Sequence, residues 1–315
     1  MTLDTVARQH VTLDPGVRSF LDQVAEAGLS PYAPGGFDRG ADIAARLQGD
    51  APLDTTPVTR ITLVEGASEF SLILAHPPGV GTVPVLFYLP GGFWAFGGWA
   101  THGAAALRLA AGCGAALLFV EAGWAPPVLA PQALRRIHAA LDWLIAHGAA
   151  NGLDVERTVL AGDGCGGAMA ALLATAARPA GWPGFRYQVL AHPIVADCAA
   201  TEGVDDWLDP DAFRRCSARA FATGLGWAAL SPLALPLERL RRSPPTLVLT
   251  AEADLARDGG EAYARRLMLA EVDVAAVRLI GTIHDFFWLD GLAGTAPTLM
   301  AHTLARQALR AALAL

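Results

Sequence analysis

No run of basic residues occurs anywhere in this 315-residue chain, whose formal net charge is −7. A nucleic-acid partner needs clustered cations to meet its phosphates, so none is expected. Long apolar runs are missing too. The longest, about 110–120, contains two glycines and falls well short of the roughly 20 residues a membrane-spanning helix needs. The chain does not open on a basic stretch followed by an apolar one, so no secretory signal is expected. Cysteine is scarce: Cys113, Cys165, Cys198 and Cys216 stand far apart, with no C-x-x-C pair. The expected reading is scattered thiols of a cytoplasmic protein rather than disulfides or a metal centre. His76, His102, His138, His147, His192 and His302 show no metal-ligand spacing of the H-E-x-x-H kind and are read as structural or solvent-facing. Neither metal nor cofactor is expected.

What the chain does have is apolar material, 53% of its residues, with 33 glycines and 21 prolines to supply turns. Asp14 and Pro15 followed by Val17, Phe20, Leu21 and Val24 read as an N-cap, a proline at the first helical position and a helical apolar stripe. A first strand pair is expected at 59–64 and 70–75. Short apolar runs follow at 85–89, 115–120, 158–162, 187–192, 246–251 and 275–280. Helical patterns lie between them: Leu134, Ile137, Leu141, Leu144 and Ile145 trace one face, and others run over 168–177, 261–269 and about 296–313. Continuous apolar strands alternating with helices predict an α/β protein, a mostly parallel sheet covered on both faces. The polar, proline-rich stretch from about 199 to 242 breaks that rhythm and reads as an inserted cap or lid.

The most informative stretch is "VLAGDGCGGAMAALLATAA", residues 159–177, a strand, a tight turn and a helix. In a large enzyme class such a turn carries G-x-S-x-G, with serine at its strained apex as nucleophile. Here the frame is Gly162, Asp163, Gly164, Cys165, Gly166. The small flanking residues are present, and the apex is glycine, so the hydroxyl alone is missing. Downstream, Asp254 follows one apolar strand and His284 the next, in the order nucleophile, acid, histidine. Upstream, Gly91 and Gly92 follow a strand, where backbone N–H groups can face a developing oxyanion.

These blocks resemble the hormone-sensitive-lipase-like family of α/β-hydrolases, which includes bacterial esterases, over nearly the whole chain. The family's H-G-G-G is matched by Pro90-Gly91-Gly92-Phe93, with Trp94 next. Its G-D-S-A-G-G is matched by Gly162-Asp163-Gly164-Cys165-Gly166-Gly167, its acid block by the segment holding Asp254, and its I-H-G-F by Ile283-His284-Asp285-Phe286. The Y-R-L-A-P-E block survives only as Ala122-Gly123-Trp124-Ala125-Pro126-Pro127. The resemblance implies a single α/β-hydrolase domain over 1–315, its helical cap drawn from about 1–55 and about 199–242. It implies a catalytic His284–Asp254 dyad, Gly164 at the vacated nucleophile position, and oxyanion donors on Gly91, Gly92 and Cys165.

Phe93, Trp94, Trp124 and Phe286 gather round these motifs and are expected to wall a dry aromatic cavity for a small apolar or polycyclic substrate. A homodimer is left open. Without the serine, the resemblance favours a non-hydrolytic enzyme of specialised metabolism. Elimination or dehydration, isomerisation and cyclisation are the expected reactions, with His284 moving a proton. Two other readings stand beside it: a ligand-binding pseudo-esterase, and a carboxylic ester hydrolase whose nucleophile was changed to Gly164. Cys165 follows the apex and is read as a small core residue rather than a replacement nucleophile.

Overall fold

Eight strands form one sheet. The computed structural model describes residues 11–33, 39–49, 56–79, 81–93, 95–123, 129–177, 179–199, 207–221, 226–227 and 230–314. Strands β1 (Val58–Glu65) and β2 (Ser68–Ala75) make an antiparallel pair, and β2 also lies antiparallel to β4 (Ala116–Glu121). From there the sheet is parallel through β3 (Val83–Leu89), β5 (Leu153–Asp163), β6 (Gln188–Ala191), β7 (Thr246–Ala253) and β8 (Val274–Ile283). Every residue of β3 is buried, and β4 is buried up to its last residue. That is why these strands read as unbroken apolar runs rather than alternating ones. Each of the eight expected runs coincides with one of these strands, the run at 115–120 overrunning β4 by one residue at its start and the run at 187–192 overrunning β6 by one at each end.

Nine helices lie among the described residues: α1 (Pro15–Ala27), α2 (Gly40–Arg46), α3 (Trp99–Cys113), α4 (Ala130–His147), α5 (Gly164–Ala174), α6 (Pro210–Ala220), α7 (Leu237–Leu240), α8 (Arg257–Leu269) and α9 (Ala296–Ala312). The Asp14 carboxylate caps α1 by accepting from the Gly16 N–H at 2.8 Å, and Val17, Phe20, Leu21 and Val24 are its buried face. Helix α3 has no counterpart in the sequence reading. Its alanine-rich sequence buries residues on most sides, so no apolar stripe marks it.

Two segments far apart in the chain meet beside the ends of the parallel strands. The Tyr32 ring lies edge-on to Trp207 with centroids 5.7 Å apart, and Arg215 donates to the Tyr32 carbonyl at 2.7 Å. Phe20 of α1 packs on the same Trp207 at 5.7 Å. Strand order reverses around β3, which has β4 on one side and β5 on the other. In open α/β sheets the crevice at the carboxyl ends of the strands near such a reversal is where ligands bind.

Candidate active site

The loops leaving β3, β5, β6, β7 and β8 converge at that crevice. Gly164 follows β5 directly and opens α5 with φ +49°, the left-handed conformation that costs other residues energy and glycine almost none. The turn is tight. A β-carbon on Gly166 would stand 2.2 Å from the Leu89 carbonyl oxygen, so only glycine lets α5 pass that close to β3. At Gly164 there is room: a β-carbon there would lie 3.6 Å from His284 Nε2 and 3.8 Å from His192 Nδ1, both ordinary contacts.

His284 and Asp254, 30 residues apart, are joined by a 2.8 Å hydrogen bond between Nδ1 and Oδ2. Asp254 is fixed in turn by the Ala256 N–H, which donates to its other oxygen at 2.8 Å. Both side chains are buried. The carboxylate therefore sets the imidazole tautomer, placing the proton on Nδ1 and the lone pair of Nε2 toward Gly164.

Asp163, the residue before the apex, organises the other wall. Fully buried, it accepts from the Tyr88 hydroxyl at 2.7 Å and from the Gly91 N–H at 3.0 Å, with His102 Nε2 at 3.2 Å. Burial first, and then the Asp163 charge, hold the Tyr88 pKa well above the ordinary phenol value, so Tyr88 remains a donor. This corrects one expectation. Gly91 was expected to donate to an oxyanion, but its N–H donates to Asp163 Oδ2. Cys165 is the second residue of α5, at the positive end of the helix dipole. Its side chain is buried, in keeping with a small core residue.

Two residues the sequence reading passed over stand against the dyad. His192 follows β6 by one position, as Gly164 follows β5, and that place at a parallel strand's tip was the available signal. It was expected to be structural or solvent-facing. It is not solvent-facing: it is 1% exposed, with φ +35°, and its ring centroid is 4.5 Å from that of His284. Among the described residues neither of its ring nitrogens has a hydrogen-bond partner, a cost on the order of 1–3 kcal/mol for each buried group left unsatisfied. Burial, then His284 and His102 nearby, hold its pKa well below the ordinary histidine value.

The second is Asp285, itself at φ +67° and buried. Its Oδ2 accepts from the Tyr32 hydroxyl at 2.7 Å and the Trp207 indole at 2.9 Å. Its Oδ1 accepts from the Trp288 indole at 2.9 Å and lies 3.6 Å from His284 Nε2.

Of the expected aromatic walls, Trp94 and Trp124 lie outside the described residues. Phe93 and Phe286 are packed in the core: Phe93 lies edge-on to Phe213 at 5.2 Å, and Phe286 backs the His192 ring at 5.3 Å. The four cysteines are buried and none is in a disulfide. No helix among the described residues is long and apolar enough to cross a membrane.

A sheet of this order, with histidine and acid on the loops after its last two strands, is the α/β-hydrolase arrangement. The chain belongs to the α/β-hydrolase fold family, whose pattern it matches over residues 86–288. It is 33% identical over 302 residues to the carboxylesterase NlhH of Mycobacterium tuberculosis, covering 91% of this chain and 92% of that protein. It is 29% identical over 312 residues to the esterase LipI of the same organism, covering 94% of this chain and 93% of that one. Among solved structures, a thermostable esterase from Pseudomonas putida superposes with a TM-score of 0.89 at 29% identity, covering 96% of this chain and 98% of that one.

These relatives overturn the expectation of a lyase, cyclase or isomerase of specialised metabolism, because they are esterases by name. That expectation equated loss of a hydroxyl with loss of hydrolysis. The structure keeps the dyad in hydrogen-bond contact, and a β-carbon on Gly164 would meet only ordinary contacts.

Proposed function

We propose that this protein is a carboxylic ester hydrolase in which a water molecule takes the place of the serine hydroxyl that the family resemblance puts at Gly164. The observation that carries this reading is the 2.8 Å Asp254–His284 pair, aimed at a position with space for one small group beside Gly164, in a family of esterases.

The chemistry balances without a covalent intermediate. Water over Gly164 gives a proton to His284 Nε2 as its oxygen attacks the acyl carbon, and Asp254 steadies the imidazolium. The carbonyl oxygen becomes an anion facing the Gly92 N–H and the positive N-terminus of α5. Collapse breaks the bond to the alcohol oxygen, which takes the proton from Nε2. The acid and the alcohol leave. Attack by bulk-derived water lacks the positioning that a fixed side chain provides, so hydrolysis is slower than in a serine esterase. We assign the capping role to the segments that meet at Trp207.

The test uses p-nitrophenyl acetate and butyrate in 18O-labelled water. Expected is turnover that disappears in His284→Ala, one label in the released acid, and no acyl adduct in the intact mass during turnover. Absence of turnover, or turnover untouched by His284→Ala, removes the reading.

A further inference from the structure

We infer that His192, His284 and Asp285 form a binding site for a zinc-class divalent cation, whose occupation silences the water route by taking the lone pair of His284. The inference about silencing rests on the proposed hydrolysis; the site itself does not. Each residue offers one donor atom, and the three atoms lie within 4.8 Å of one another. All three side chains are buried.

Two imidazoles and a carboxylate are the donor set of many zinc sites that keep a fourth position open. Donors in a tetrahedron of about 2.1 Å radius stand about 3.4 Å apart. The 3.6 Å between His284 Nε2 and Asp285 Oδ1 is already close to that. The His192 donor lies within 4.8 Å of both, and its Nδ1 is 3.8 Å from the point a β-carbon on Gly164 would occupy. Magnesium and calcium prefer all-oxygen shells, so the set points to zinc, cobalt or nickel.

Four further features agree. His192 is nine-tenths and more buried, with both ring nitrogens lacking a hydrogen-bond partner among the described residues, although it stands beside His284 at the centre of the site. A cation gives one of them a bond. Asp254 holds Nδ1 of His284 at 2.8 Å, the carboxylate–histidine contact that orients an imidazole toward a metal. The Tyr32, Trp207 and Trp288 donors hold Asp285 in place while its Oδ1 keeps a lone pair toward Nε2. His192 and Asp285 both sit at positive φ, backbone strain of the kind kept at functional sites.

Ligation and proton abstraction need the same Nε2 lone pair, so a bound cation and a working base exclude each other. The experiment uses the full chain stripped with chelator and then titrated with zinc chloride by calorimetry. Cobalt chloride in parallel reports coordination by its visible absorption. Expected is about one zinc per chain. His192→Ala and the volume-filling His192→Phe should weaken binding by more than about 100-fold, beyond what loss of an outer-shell partner does. Their folding is checked by thermal melts.

Saturating zinc should cut wild-type ester hydrolysis at least tenfold, reversibly on adding chelator, while the activity of each variant, measured against its own zinc-free rate, should resist zinc. No zinc bound, or equal binding by folded variants, overturns the site. Hydrolysis that is unchanged or raised by bound zinc overturns the silencing. A chain that binds zinc through His192 yet hydrolyses no ester upholds the site and sinks the hydrolase reading instead.

Discussion

His284 Nε2 stands 3.6 Å from the point a β-carbon on Gly164 would occupy. A side chain there would meet the base at contact distance without a clash, so Gly164→Ser puts an oxygen within reach of Nε2. The backbone at φ +49° makes any residue but glycine pay on the order of 1 kcal/mol at this position, which the fold can absorb. Gly164→Ser should raise hydrolysis of activated esters by at least tenfold. It should also create a site that an organophosphonate labels, with wild type unlabelled at 164. Peptide mapping after labelling checks this. An unlabelled, fully folded variant would mean that the hydroxyl does not face His284.

Asp254→Asn should be nearly as damaging as loss of His284. The amide presents either an oxygen or a donating NH₂ toward Nδ1, and the second favours the wrong tautomer. It also removes the charge that steadies imidazolium. A loss on the order of 10³-fold or more in kcat with little change in KM is expected, by analogy with triad enzymes. Parallel kinetics of the two variants measure it, and a loss below tenfold would show that Asp254 is only structural.

Much of this site was legible in the sequence, because its signals are local and geometric. A glycine-framed turn after an apolar strand fixes Gly164 whatever stands at the apex, and chain order places Asp254 and His284 on the next suitable loops. What was not legible depends on distance across the fold. Gly91 looked like an oxyanion donor until Asp163, 72 residues away, proved to hold its N–H. His192 has no motif around it and acquires meaning only when the tip of β6 comes up beside His284. Asp285 lies next to His284 in sequence, yet its partners Tyr32 and Trp207 are 253 and 78 residues distant. Periodicity could not mark α3, since a helix buried on most sides has no polar stripe.

The chain should lose stability in mild acid through His302. Its Nε2–H donates to the Phe287 carbonyl at 2.9 Å, and its ring stacks on Phe287 with centroids 4.1 Å apart. Burial lowers its pKa from 6.5 to about 4. A folded pKa below the unfolded one means that the contribution is complete above pH 6.5 and is lost as pH falls from there toward 4. The slope across that window is about 1.4 kcal/mol per pH unit. Urea unfolding of wild type and His302→Phe at pH 7.5 and pH 5 isolates it, because the carboxylates common to both cancel. Wild type should lose ground relative to the variant at the lower pH. A difference independent of pH would count against a neutral, half-buried His302.

The last prediction concerns Asp163, which ties the turn at Gly164 to the loop at Gly91. Its carboxylate serves Tyr88 at 2.7 Å and Gly91 at 3.0 Å, with no exposure to water. Asp163→Ala removes both acceptors at once and leaves a buried O–H, a buried N–H and the His102 imidazole without their anion. That loss should cost about 3 kcal/mol or more. Asp163→Asn is gentler: its amide oxygen can still accept from Gly91 while its NH₂ donates to the Tyr88 oxygen, so about 1–2 kcal/mol is expected. Tyr88→Phe removes one donor and leaves Gly91 held, so it should preserve hydrolysis better than either change at Asp163. Urea unfolding gives the stabilities, and p-nitrophenyl acetate turnover under folded conditions gives the activities. If Asp163→Ala unfolds within 1 kcal/mol of wild type, the carboxylate is not what holds the two loops together, and the geometry facing the oxyanion must come from the backbone alone.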